Sequence, residues 1–172
     1  MNELKNKIRE ISNWPRSGIN FKDITPLLED KKLFSEVIDL LCKPYLNKNI
    51  DKIVSIDARG FLLASAMAYK LKTGLVIIRK KGKLPSKTIS KKYDLEYGSN
   101  TVEMHADSIL PGEKILLIDD VLATGGTITA AIKMVEKLKG VIIGIEFLIE
   151  LSYLKGRKNL KGQKIKSLIK YE

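Results

Sequence analysis

The chain has 172 residues, 44% hydrophobic and 30% charged, the composition of one folded domain with its own core rather than of a disordered or membrane-spanning chain. One cysteine, Cys42, and one histidine, His105, exclude an internal disulfide and leave no ligand set for a zinc cluster or a histidine-dependent triad. The formal charge of +11 is uneven: residues 79–92 hold seven cations and no anion, residues 155–172 hold seven cations and Glu172, and the remainder is slightly acidic.

Leu4, Ile8 and Ile11 stand at helical spacing and predict a short amphipathic helix around 3–11. The Pro- and Gly-punctuated stretch 13–26 predicts a loop. Leu33, Phe34, Val37, Ile38 and Leu41 mark a better helix over 32–42, stopped by Pro44. A strand, turn, helix pattern then repeats. Residues 53–56 read as a short strand, 57–60 as a turn, and 61–71 as a helix buried through Leu62, Leu63, Met67 and Leu71. A second strand follows at 75–78. The polar stretch from Arg79 to about Asn100 is too long for an inert connection and predicts a lid or binding loop. Residues 101–104 read as a returning strand, Pro111 and Gly112 as a turn, and 115–118 as a buried strand. A helix follows, marked by Ile128, Ala131, Ile132, Val135 and Leu138, with strands at 141–149 and 165–169. This alternation predicts a single α/β domain over 1–172 with a mostly parallel sheet covered on both faces.

The segment ILLIDDVLATGGT at 115–127 carries the strongest chemistry. A hydrophobic strand runs into Asp119 and Asp120, then into a turn of small residues that opens a helix. Ligands of open α/β sheets bind beyond the carboxyl ends of the strands, where this turn must lie. Gly125 and Gly126 allow close approach of the backbone, the helix start offers N–H donors and partial positive charge, and Thr124 and Thr127 add hydroxyls. That combination suits a phosphate. Adjacent carboxylates suit the hydroxyls of a sugar or a Mg²⁺-bound ligand. A phosphorylated ribose meets both demands.

IDDVLATGGT resembles the phosphoribosyl-diphosphate signature of type I phosphoribosyltransferases, and within that group the chain resembles the adenine-specific family. The likeness extends to PRSGINFKDITPLL at 15–28, DARGFL at 57–62, RKKGKLPSKTIS at 79–90 and YDLEYG at 93–98. FLIEL at 147–151, LKGRKNL at 154–160 and the final SLIKYE belong to it as well. It implies a type I phosphoribosyltransferase fold: a central, mostly parallel sheet flanked by helices, a small hood, and a long mobile catalytic loop at about 82–100. It also implies transfer of phosphoribose from 5-phosphoribosyl 1-diphosphate to adenine, giving AMP and diphosphate with Mg²⁺ carried by the substrate.

By the same resemblance, Ala123, Thr124, Gly125, Gly126 and Thr127 hold the 5′-phosphate, and Asp119 and Asp120 take the ribose hydroxyls. Arg59 faces the diphosphate, joined by Arg79, Lys80 and Lys83, whose fixed charge would meet the charge that develops on the leaving group. Phe21 stacks on the base, backbone near Phe21 and Lys22 reads its edge, and Leu151 forms an apolar wall. Glu96 is the catalytic acid/base on the loop, with Tyr97 beside it.

Alanine at 123 fits adenine, since enzymes of 6-oxopurines usually carry an acid there. The paired acids disfavour uracil. Ser86, where glycine is common, and Lys22, where arginine is frequent, are small departures. A nucleic-acid-binding regulator of this fold is the competing reading, and retention of Glu96 within a single domain favours catalysis. The expected setting is cytoplasmic, as a homodimer, with no nucleic-acid or membrane partner; the N-terminus lacks the apolar stretch of a secretory signal.

Overall fold

The computed structural model describes residues 2–94 and 99–172. A short helix, Asn2–Asn6 (α1), leads into an antiparallel hairpin of Arg9–Ser12 (β1) and Asn20–Asp23 (β2). The helix expected over 3–11 therefore ends early, and the loop expected over 13–26 contains a strand. Leu4 and Ile8 are buried as their spacing suggests, but Ile11 lies opposite Phe21 in an extended pair. Pairing with a segment ten residues away decides this stretch, and a local periodicity does not register it.

Thr25–Leu28 (α2) and Lys31–Cys42 (α3) follow, with the Asp30 side chain capping α3 by accepting from the backbone N–H groups of Lys32 and Leu33. The α-helix ends at Cys42, as Pro44 leads one to expect, and Pro44 falls in the first turn of a 3₁₀ segment, Lys43–Tyr45, where a missing N–H is tolerated. Then come Lys52–Ile56 (β3), Gly60–Leu71 (α4), Gly74–Lys80 (β4), Thr88–Asp94 (β5) and Ser99–His105 (β6). Lys114–Leu122 (β7), Gly126–Lys137 (α5), Val141–Leu151 (β8) and Ile165–Tyr171 (β9) complete the chain.

Seven strands form one sheet in the order β5-β6-β4-β3-β7-β8-β9. From β4 to β9 all neighbours are parallel, whereas β6 and β5 add an antiparallel edge. The expected α/β architecture with a mostly parallel sheet is the one adopted, and β1 with β2 forms a separate small sheet that serves as the hood. Both faces of the large sheet are covered. Leu116 and Ile118 of β7 pack with Val37, Leu41, Leu63 and Met67 of α3 and α4. Ile115 and Leu117, pointing the other way, pack with Ile128, Ile132 and Val135 of α5.

Three expectations change. Residues 88–94 are strand rather than loop: Ile89, Lys91 and Tyr93 share the partly buried face, and a lysine at an inward position hides the alternation. Asp119 and Asp120 lie inside β7 rather than after it, since Asp119 pairs with Phe147 and Val121 with Ile149. Leu62 is half exposed, because the inward line of α4 runs through Leu63, Ala64, Met67 and Ala68, and Leu62 sits about 100° around the helix from Leu63.

A buried polar pair ties the segment after α3 to the sheet. The Tyr45 hydroxyl donates to Glu146 Oε1 at 2.7 Å, and both residues are buried. Burial pushes the Glu146 carboxyl above its ordinary range, partly offset by the Tyr45 hydrogen bond and by Lys166 and Lys48. Tyr45→Phe leaves that carboxyl without its donor and should cost about 1–3 kcal/mol in urea unfolding. A raised carboxyl keeps its proton in the folded state after the unfolded chain has lost it at about pH 4.3. Its contribution is therefore full below that pH and is lost as pH rises through the raised value. Unfolding measured across that window should show a falling limb that Glu146→Gln flattens; equal slopes would assign the limb to other groups.

Candidate active site

Parallel strands place their carboxyl ends at one edge, so β3, β4, β7 and β8 deliver residues 57–59, Arg79 and Lys80, 119–127 and Leu151 to the same region. A cavity of about 250 Å³ lies there, lined by Asp57, Arg59, Lys80, Asp119, Asp120 and Thr127 among others. Three acids and three bases meet around it, counting Arg79, which pairs with Asp57 through Nε at 3.1 Å. Arg59 Nε lies 2.6 Å from Asp120 Oδ2, a close ion pair whose N–H is not aligned as a hydrogen bond. Asp120 is 8% exposed. Its backbone N–H donates to Asp119 Oδ1 at 3.0 Å. The Asp119 carboxyl is nonetheless held well above the usual carboxylate range, first by burial and then by the neighbouring Asp120 charge, with Arg59 partly offsetting.

The turn 123–127 shapes a second, smaller cavity of about 60 Å³ that it shares with Asp119 and Phe147. Gly125 is left-handed, with φ +84°, so a side chain there would be strained. The Gly125 carbonyl accepts from the Thr129 backbone N–H and hydroxyl, at 3.0 and 2.7 Å, and so starts α5. A third cavity, about 460 Å³, opens between the hood and this turn, lined by Pro15, Ile19, Ala123, Thr124, Leu151 and Tyr153 among others. Ala123 and Thr124 border both the second and third cavities, and Asp119 and Thr127 both the first and second. The three spaces form one connected edge.

Phe21 meets Arg59 here: the guanidinium carbon lies 4.6 Å from the ring centroid, and Arg59 Nη1 donates to the Lys22 carbonyl at 3.0 Å. Trp14 packs edge-on against Phe21 at 4.5 Å. The Lys22 side chain points away, 2.6 Å from Glu10 Oε2 and 4.0 Å from the Tyr171 ring centroid, so its backbone is what it offers the site. Lys83 is exposed and lines none of the three cavities; its carbonyl accepts from Arg79 Nη1 at 3.3 Å. Glu96 and Tyr97 lie outside the described residues. Among the described residues no group of three or more metal-binding side chains forms a cluster.

A family model for the phosphoribosyl transferase domain matches residues 23–168. The adenine phosphoribosyltransferase of Trichlorobacter lovleyi is 52% identical over 171 residues, covering 99% of this chain and all of that protein. The chain belongs to the adenine phosphoribosyltransferase family. The crystal structure of the Thermoanaerobacter pseudethanolicus member superposes with a TM-score of 0.96 at 49% identity, covering 99% of each chain. The Saccharomyces cerevisiae member, crystallised with an imino-altritol bisphosphate and adenine, gives 0.91 at 36% identity over 97% of each chain.

Sequence reasoning passed over several residues of this edge. Asp57 follows the apolar run of β3 as Asp119 follows the apolar run 115–118 within β7, and an acid at the end of a buried apolar run was a usable signal. Glu103 is buried and accepts from the Gly82 backbone N–H at 2.9 Å, bracing the turn after β4. Gly60 is required by contact: a Cβ there would stand 2.6 Å from both Asp119 Oδ1 and Ser55 Oγ. Neither side chain can retreat freely, because Ser55 is fully buried and Asp119 is held by the Asp120 N–H. Gly60→Ala should overpack this junction by about 1–3 kcal/mol, lowering kcat/KM about tenfold or more. Steady-state assay beside thermal unfolding checks this, and unchanged values of both would show that the junction yields.

Proposed function

We propose that the chain transfers phosphoribose from 5-phosphoribosyl 1-diphosphate to adenine, releasing diphosphate and forming AMP, as a purine salvage enzyme. The observation that carries this reading is the continuity of three spaces along one sheet edge: a charged cavity, a phosphate-sized turn and an apolar slot. Ala123–Thr127 would receive the 5′-phosphate, and Asp119 and Asp120 the ribose hydroxyls. Phe21, Leu151 and the Lys22 backbone would hold adenine. The yeast relative's complex with adenine supports that base, as does the uncharged side chain of Ala123, which presents no carboxylate to a 6-oxopurine.

In the reaction N9 of adenine bonds to C1′ of the sugar as the C1′–oxygen bond to diphosphate breaks, and the base loses a proton. Arg59, Arg79 and Lys80 would oppose the charge that gathers on the departing diphosphate, with Lys83 as a further cation at the rim of the turn after β4. To reach the diphosphate the Arg59 guanidinium must exchange Asp120 and the Phe21 ring for phosphate oxygens, which also frees the ring face for the base. Mg²⁺ carried by the substrate diphosphate would screen its charge. The carboxylates of Asp119 and Asp120 suit hydroxyls and water molecules of such a complex better than a bare resident ion. Glu96, with Tyr97, is assigned the proton traffic at the base. A cytoplasmic homodimer completes the reading: no helix among the described residues is long and apolar enough to cross a membrane, and Leu62 and Tyr69 leave an apolar strip on α4, 50% and 89% exposed.

Incubation with adenine, Mg²⁺ and 5-phosphoribosyl 1-diphosphate should yield AMP, and chelation of the metal should abolish the yield. Consumption of hypoxanthine, guanine or uracil in place of adenine would overturn the substrate. Glu96→Gln should lower kcat about 100-fold while KM for 5-phosphoribosyl 1-diphosphate moves less than about threefold. Full turnover in that variant would remove Glu96 from the chemistry.

A further inference from the structure

Behind the phosphate turn runs a 3₁₀ segment, Gly156–Leu160, within the basic final stretch of the chain. Gly156 lies so close to the turn that a Cβ on it would collide with the Ala123 carbonyl, while a Cβ on Gly125 would stand 2.8 Å from the Gly156 carbonyl oxygen. Asn159 Nδ2 donates to the Thr124 carbonyl at 2.9 Å. On its other side the segment is clamped to the sheet. Arg157 grips both carboxylate oxygens of the buried Glu150 at the end of β8, at 2.6 and 2.7 Å. The same guanidinium reaches the Ile165 carbonyl at 3.3 Å and Ser167 Oγ at 3.4 Å, both on β9. A bidentate arginine–carboxylate pair of this kind fixes direction as well as distance.

In a trans peptide the C=O and the following N–H point in opposite directions. Anchoring the Thr124 carbonyl from behind therefore aims the Gly125 N–H to the front, where an anion binds. Packing of Gly156 against the Ala123 carbonyl constrains the Thr124 N–H in the same way. Donors aimed before the ligand arrives need no reorganisation when it does.

We propose that Asn159 and Gly156 are positioning residues for the 5′-phosphate, forming with the Arg157–Glu150 clamp a shelf that holds the N–H groups of turn 123–127 in their binding direction. This rests on the reading of that turn as the phosphate site. The shelf gives the end of the chain a task separate from its net charge: one amide and one missing side chain act, and the lysines around them stay solvated.

Binding of ribose 5-phosphate, measured by calorimetry on the full-length protein, tests the shelf. Asn159 is exposed, so Asn159→Ala should keep the wild-type unfolding midpoint while weakening ribose 5-phosphate about five- to tenfold. KM for 5-phosphoribosyl 1-diphosphate should rise by a similar factor, with kcat and KM for adenine within about twofold. Gly156→Ala, which forces the turn to move, should weaken ribose 5-phosphate more than about tenfold. Unchanged ribose 5-phosphate affinity in Asn159→Ala overturns the proposal, as does an equal loss for both substrates with a lowered unfolding midpoint. Gly126→Asp separates the two levels, because it sets a carboxylate in the turn itself. If Gly126→Asp folds and still binds ribose 5-phosphate as the wild type does, the phosphate-site reading fails. If it abolishes binding while Asn159→Ala changes nothing, the shelf alone fails.

Discussion

Two adjacent carboxylates at the end of a strand buried on both faces impose the demand that the rest of this site answers. Asp119 and Asp120 cannot both be dehydrated and charged without compensation, and the Asp119 carboxyl is pushed up accordingly. Relief comes from the adjacent backbone and from neighbours across the sheet. The Asp120 N–H turns to Asp119, Arg59 from the turn after β3 closes on Asp120, and α4 begins with a glycine so that its backbone can sit against Asp119 and Ser55. The parallel pairing of β3 with β7 is what brings those groups into range.

Arg59 also links the sheet to the hood. Its guanidinium spans Asp120, the Lys22 carbonyl and the Phe21 ring, so a side chain that lines the charged cavity is also tied to the hood. The hood keeps its backbone turned toward the site because the Lys22 side chain is committed elsewhere, to Glu10 and Tyr171. Lysine at 22 is thus compatible with the arrangement, since the site is offered the carbonyl and the side chain looks into the body of the protein.

Much of the sheet was legible because its strands are short, β-branched and bounded by turn residues, and because α3 and α5 carry strong apolar stripes. The turn ATGGT was legible for a local reason as well: consecutive small residues before a helix have few other uses. The parts that escaped share a different cause. β1 and β2 stabilise each other across a seven-residue connection, and β5 carries Lys91 on its inner face, so neither shows a pattern within its own window. Leu62 was assigned to the core on composition, although only the rotation of α4 against the sheet could place it. Asp57, Gly60, Gly156 and Asn159 take their roles from groups 22 to 59 residues away in the sequence.

The net charge of +11 was the least specific feature of the sequence, and dividing it between two segments pointed to a small phosphorylated ligand rather than to nucleic acid. The sequence by itself determined the α/β class, the small-residue turn before α5, the paired acids and the family, because each is written in contiguous residues whose chemistry survives without knowledge of their neighbours. Tertiary structure alone decided which cations reach the cavity, with Arg59, Arg79 and Lys80 inside or against it and the Lys83 side chain outside. It also decided that the basic final stretch contacts the turn 123–127 through a glycine and an asparagine, beside one clamped arginine. Charge is a sum over residues, but a site is set by distances, and strand pairing is what fixes those distances.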